Sequence, residues 1–154
     1  MPYIHIRVAS DALSDTQIRR LSAGTTKLMA ELLHKRPEVT VVTVETLPAG
    51  RWFLAGKNIP TPMRARCNFR SRALTLWATH SAGPSGACGA MAEIRITQGS
   101  NTEEEKAAFL AAFDQLLGDC LGPFDTPAYV VIHEVLGSDW GYDGVSQAQR
   151  RQAA

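Results

Sequence analysis

The chain has 154 residues and a formal net charge of +1, with 45% hydrophobic and 20% charged residues. This balance excludes a disordered chain, supplies enough apolar residues for one core, and gives no electrostatic case for a nucleic-acid or membrane partner. Cysteines 67, 88 and 120 are odd in number and lack metal-site spacing, and no secretory or transmembrane segment is present, which predicts reduced thiols, a cytoplasmic protein and no metal.

Residues 2–8 alternate as a strand does, with Ile4, Ile6 and Val8 on one face. Residue 2 carries chemistry as well. A methionine aminopeptidase removes an initiator Met that precedes proline, and removal of Met1 leaves Pro2 as the N-terminus. Its nitrogen is then a secondary amine, whereas proline nitrogen inside a chain is a tertiary amide without proton or basicity. A free α-amino group titrates near pH ~8. Apolar burial or nearby cations lower that value, and a neutral amine at the head of a strand is a general base for protons beside a carbonyl. On the dipeptide alone, Pro2 is simply a small second residue.

Residues 11–13 form a loop. Ser14 and Gln17 then have capping-box spacing, and Ile18, Leu21, Thr25, Leu28, Met29 and Leu32 follow at helical spacing. Lys35, Arg36 and Pro37 close that helix with C-terminal cations and a breaker. Residues 39–45 are β-branched almost throughout and lead into a turn with the aromatic pair Trp52-Phe53. This is a βαβ unit, so its strands are expected to be parallel with a right-handed crossover.

The unit repeats. Residues 92–97 read as a strand, Thr102 and Glu105 as a second capping box, and Phe109, Leu110, Phe113, Leu116, Leu117 and Cys120 as a second stripe ended by Gly122-Pro123. Residues 128–135 form another strand, followed by a turn with Trp140 and Tyr142. Ser14 to Thr102 and Trp52 to Trp140 are both offsets of 88 residues, the signature of internal duplication. The predicted fold class is α+β: tandem βαβ repeats making one four-stranded sheet with both helices on one face. The apolar runs 41–42 and 130–132 predict apolar residues on both sheet faces, hence a homo-oligomer whose subunits cover each other's sheets. The domain reading is a first repeat at 1–57, an insertion at 58–89, a second repeat at 90–145 and a C-terminal tail at 146–154. The insertion carries Arg64, Arg66, Arg70 and Arg72, and a short strand is expected at 74–77. One arginine cluster on a near-neutral chain argues against a nucleic-acid partner and for a solvated insertion.

Met1-Pro2-Tyr3-Ile4-His5-Ile6-Arg7-Val8, the amphipathic helix, the valine-rich strand and the turn Gly50-Arg51-Trp52-Phe53-Leu54-Ala55-Gly56 resemble the 4-oxalocrotonate tautomerase family. The second half resembles it too, through Asp139-Trp140-Gly141-Tyr142-Asp143-Gly144, and the tandem arrangement is similar to that of fused two-copy members. The resemblance covers residues 2–57 and 90–145. It implies a catalytic Pro2 acting as base on an enol or dienol 2-oxo acid, a homotrimer of fused chains, and no metal or organic cofactor. The position matching Pro2 in the second repeat is Ala90, inside the chain, so one working proline per chain is expected.

The family's two carboxylate-binding arginines have no counterpart: the matching positions are residues 11–13 and Ser100 for one, Val41 and Tyr129 for the other. The stretch Gln98-Gly99-Ser100-Asn101-Thr102 also lacks the residues of the dehalogenase and decarboxylase branches, which disfavours hydrolytic dehalogenation. The resemblance nominates Trp140 and Tyr142 as pocket aromatics, Trp52 at the pseudo-symmetric site, and Tyr129 in place of the second-strand arginine. Arg51, Lys57 and the insertion arginines are the candidates to neutralise a carboxylate, with a solvated surface charge as the alternative reading for each. His5 and His133 are read as structural, and residues 103–106 as a solvated helix face. The rival reading, from a different class, is a non-catalytic trimeric binding or scaffold protein of the same fold.

Overall fold

Strand β1 (Tyr3–Ala9) alternates buried and half-buried residues, as a strand with one face on a core must. The computed structural model describes residues 2–58, 87, 89–124 and 126–153. Helix α1 (Asp15–Glu31) starts at the predicted capping box, where the Gln17 N–H donates to Ser14 Oγ at 3.2 Å and the Ser14 N–H to Gln17 Oε1 at 3.0 Å. Strand β2 (Val41–Leu47) returns parallel to β1 with Tyr3 opposite Val41. A two-stranded hairpin, β3 (Phe53–Leu54) and β4 (Lys57–Asn58), follows. Ala55 and Gly56 both have positive φ there (50° and 74°), the geometry whose twist suits a two-residue hairpin loop.

The second half repeats this order. Strand β5 (Gly89–Thr97) leads to helix α2 (Glu103–Leu121), which Thr102 and Glu105 cap reciprocally, and then to β6 (Tyr129–Val135), parallel to β5 with Met91 opposite Tyr129. The hairpin β7 (Gly141–Tyr142) and β8 (Val145–Ser146) again turns through two positive-φ residues, Asp143 and Gly144. Every pairing in the second half lies 88 residues beyond its counterpart in the first. The sheet order is β2-β1-β5-β6 with β1 and β5 antiparallel. His5 faces Glu93 across that central pair, and the same offset carries one onto the other, so the pseudo-two-fold axis passes between them. A short helix, α3 (Gln147–Gln152), extends the chain past the second hairpin, within the segment read from sequence as a tail.

Both helices cover one sheet face. Ile4, Ile6, Val8, Ile94 and Ile96 from the central strands meet Leu21 and Met29 of α1 and Phe109, Phe113 and Leu117 of α2 in one buried cluster. Each large side chain removed from water there contributes roughly 1.5–3 kcal/mol before chain entropy is set against it. The Phe109 and Phe113 rings stack at 5.5 Å, and a Cβ on Gly24 would lie 2.5 Å from Leu116 Cδ1, so the helices approach closely at that glycine. Cys120 is a free thiol in this core, and burial pushes its pKa up, with Arg20 opposing the shift. Cys67 and Cys88 lie outside the described residues, as do the insertion arginines and the strand expected at 74–77.

The opposite sheet face differs from the expectation of an apolar surface. Exposed Val41, Val131 and Tyr129 lie on the edge strands, while the central strands carry a charged lattice. Arg7 bridges Glu45 (3.4 Å) and Glu93 (3.1 Å), His5 reaches Glu45 at 3.0 Å, and Arg95 reaches Glu93 at 3.3 Å. The apolar runs do place Val41 and Val131 on this face, but the outward positions of the central strands β1 and β5 are polar, so the apolar surface is confined to the edges. His5 and His133 fall in this lattice, His133 4.0 Å from Glu93. Among the described residues no helix is long and apolar enough to cross a membrane.

Candidate active site

Pro2 is buried at the head of β1, where its carbonyl accepts the Val41 N–H at 3.2 Å. The connection from α1 to β2 passes beside it. His34 adopts the left-handed conformation (φ 55°), unusual for a residue with a Cβ, and the Lys35 N–H donates to the Met29 carbonyl at 2.9 Å to finish the helix. The loop is tied to the start of α2: Asn101 Nδ2 donates to the Leu33 carbonyl at 3.0 Å, and His34 Nε2 lies 3.2 Å from Glu105. Lys35 Nζ donates to Ser100 Oγ at 2.8 Å. Burial pulls the Lys35 pKa below the usual lysine range, Arg151 adds to the shift, and Glu105 and Glu134 oppose it.

The second hairpin and α3 close the other side. Gly141 is required at the hairpin start, since a Cβ there would overlap the Val145 carbonyl oxygen. Ser146 caps α3 with Gln149 as its reciprocal partner, and the Ala148 N–H donates to the Gly137 carbonyl at 2.8 Å. Arg150 lies over the Tyr142 ring, 3.7 Å from the centroid, and donates from NH2 to the Tyr142 carbonyl at 2.9 Å.

Between these elements is a cavity of about 230 Å³. Pro2, Val39 and Tyr142 line it together with His34, Lys35, Arg36, Gln147 and Arg150. Three of these residues are formal cations, and none is a carboxylate. Gln147 Nε2 and Arg150 Nε are buried and have no hydrogen-bond partner among the described residues, and the same holds for Trp140 Nε1 in the adjoining depression. A buried donor without an acceptor costs about 1–3 kcal/mol. Such a cavity is built to receive an anion or a carbonyl oxygen beside Pro2. Among the described residues no three His, Cys, Asp or Glu side chains gather as a metal site requires.

Of the residues nominated from sequence, Pro2 and Tyr142 meet in this cavity, and Trp140 adjoins it beside Tyr142. The others lie elsewhere in the chain. Trp52 donates from Nε1 to Thr126 Oγ1 at 3.3 Å and packs over Gly89, where a Cβ would lie 2.6 Å from that nitrogen. Arg51 is exposed in the turn Ala49–Arg51, and Tyr129 is 52% exposed at the start of β6, on the edge of the open face. His34, Lys35, Arg36, Gln147 and Arg150 are cavity residues that sequence reasoning did not nominate.

The family profile described as "Tautomerase enzyme" matches residues 2–61. The "Probable tautomerase K2" of Dickeya dadantii (strain 3937) is 32% identical over 59 residues, which are 38% of this chain and 88% of that protein. The chain belongs to the tautomerase family. Solved structures of the same fold extend the likeness to both halves of this chain. A fused 4-OT symmetric trimer superposes with a TM-score of 0.70 at 15% identity, covering 96% of this chain and 98% of the other. Native fused 4-OT gives 0.69 at 19% identity over 99% of both chains. Pt0534 inactivated by 2-oxo-3-pentynoate gives 0.69 at 17% identity, covering 95% of this chain and 97% of that one.

Proposed function

We propose that this family member is a cofactor-independent tautomerase in which Pro2, freed by removal of Met1, moves a proton on an enol or dienol 2-oxo acid. The observation that carries the reading is the burial of Pro2 against a cavity lined by Lys35, Arg36 and Arg150 with no carboxylate among the lining residues. Positive charge and burial both disfavour a protonated amine, which leaves a neutral base at physiological pH. The enol hydroxyl gives its proton to the proline nitrogen and leaves an enolate, whose C2–O bond becomes a carbonyl only when carbon is protonated. The protonated amine then returns that proton to the carbon α to the carbonyl, or to the γ carbon of a dienol. Charge grows on the substrate oxygen between these steps, and the Tyr142 hydroxyl and the unpaired donors of the cavity supply hydrogen bonds to it.

The neighbour inactivated by 2-oxo-3-pentynoate suggests the test, because a neutral secondary amine adds to the triple bond of such an acid. Incubation with this compound is expected to label the mature chain once, with the label on the N-terminal tryptic peptide at Pro2. A label on any other residue, or none on a chain shown by intact mass to lack Met1, would sink the reading.

The working unit in this proposal is a cytoplasmic homotrimer. The fold neighbours titled as trimers and the uncovered sheet face, with exposed Val41, Val131 and Tyr129 at its edges, support that assembly. Sedimentation velocity of the mature chain is expected to give a trimer, and a monomer at micromolar concentration would contradict it.

A further inference from the structure

We propose that α3 supplies the carboxylate subsite of the Pro2 cavity, with the Arg150 guanidinium and the Gln147 side-chain amide binding the acid group of the substrate. This inference deepens the tautomerase reading and rests on it for the identity of the ligand. The two positions where family resemblance places carboxylate-binding arginines hold neither Arg nor Lys here. The compensating charge comes from a segment outside both repeats.

Arg150 is singled out by what the other cations are already doing. Lys35 is bound to Ser100, His34 lies against Glu105, and Arg36 pairs with Glu38 at 3.6 Å. Arg150 makes no ion pair among the described residues. A guanidinium carries five N–H donors. One goes to the Tyr142 carbonyl, and Nε is buried without an acceptor among the described residues. Gln147 stands one helical turn before Arg150 on the same face of α3, and its Nε2 is also buried without an acceptor. Two unmet donors three residues apart, one of them on a fork suited to two parallel bonds, match the two oxygens of a carboxylate. The Tyr142 ring under the guanidinium fixes the plane of the fork. A 2-oxo acid seated there brings its C2 oxygen and C3 carbon toward the Pro2 end of the same cavity.

Direct binding tests this without relying on turnover. The probes are phenylpyruvate and its methyl ester, titrated into the mature protein by isothermal calorimetry with Pro2→Ala, Arg150→Ala, Arg150→Lys and Gln147→Leu variants alongside. Arg150→Ala is expected to weaken phenylpyruvate binding roughly 10- to 100-fold, as loss of a charged hydrogen bond does. Arg150→Lys is expected to recover part of that loss, since a point charge lacks the fork. Ester binding is expected to be weak and equal in wild type and both Arg150 variants. If Arg150→Ala fails to fold by circular dichroism, Arg150→Lys and Gln147→Leu carry the test. Unchanged acid affinity in the Arg150 variants, or equal losses for acid and ester, would overturn the subsite. Binding that depends on Arg150 without turnover that depends on Pro2 would support the subsite and sink the proline-base reading. The reverse pattern would sink the subsite alone.

Discussion

Pro2→Ala is expected to lower kcat/KM for phenylenolpyruvate or 2-hydroxymuconate by roughly 10²–10⁴, the usual contribution of a positioned general base. The variant isolates the amine well. Alanine is also small enough for Met1 to be removed, so a free N-terminus is kept. The Val41 N–H bond to the residue 2 carbonyl, 3.2 Å in the structure, involves the backbone alone and survives the change. What changes is a rigid secondary amine becoming a mobile primary one. A primary amine can also condense with the 2-oxo group to an imine, which proline cannot do to a neutral product. Equal kcat/KM in the two proteins, with Met1 absent from both by intact mass, would remove Pro2 from the mechanism. It would favour a binding protein, or an enzyme that uses another base.

The fold was legible because several local signals agreed. Ser14 with Gln17 and Thr102 with Glu105 marked both helix starts, and the 88-residue spacing foretold a ladder register that repeats pair for pair. Pro2 and Tyr142 were legible as a pair through family resemblance. The cationic side of the cavity was not, for three separate physical reasons. Lys35 and Arg36 were read as helix-closing charges, but α1 stops at Glu31, and the left-handed turn at His34, with no glycine to mark it, redirects both. Helix α3 carries no apolar stripe in Gln147–Gln152, so periodicity could not find it. The Ser146 and Gln149 capping box was the available signal, and the rule that found the first two boxes finds this one. Finally, Trp52 and Trp140 are equivalent in sequence yet not in contacts: Trp52 finds Thr126, whereas Trp140 Nε1 has no partner among the described residues. Duplication predicts geometry, but not which partners the equivalent side chains find in each half.

A preparation that retains Met1 is expected to show no turnover above the buffer rate, and activity across mixed preparations is expected to scale with the fraction of chains whose intact mass lacks Met1. The reason is electronic. With a residue before it, the Pro2 nitrogen is a tertiary amide whose lone pair is delocalised into a carbonyl, so it has no basicity for the cavity to tune. The surrounding groups do not substitute for it. Lys35 Nζ is engaged with Ser100, His34 with Glu105, and Arg150 does not give up a proton in a protein. Treatment of the unprocessed chain with a methionine aminopeptidase is expected to restore the rate in proportion to the Met1 released. This distinguishes the missing amine from a misfolded protein, since cleavage of one residue does not refold a chain. Full activity in a chain that still carries Met1 would mean that another cavity group moves the proton. Tyr142, with its hydroxyl-bearing ring held under Arg150, would then be the first residue to replace.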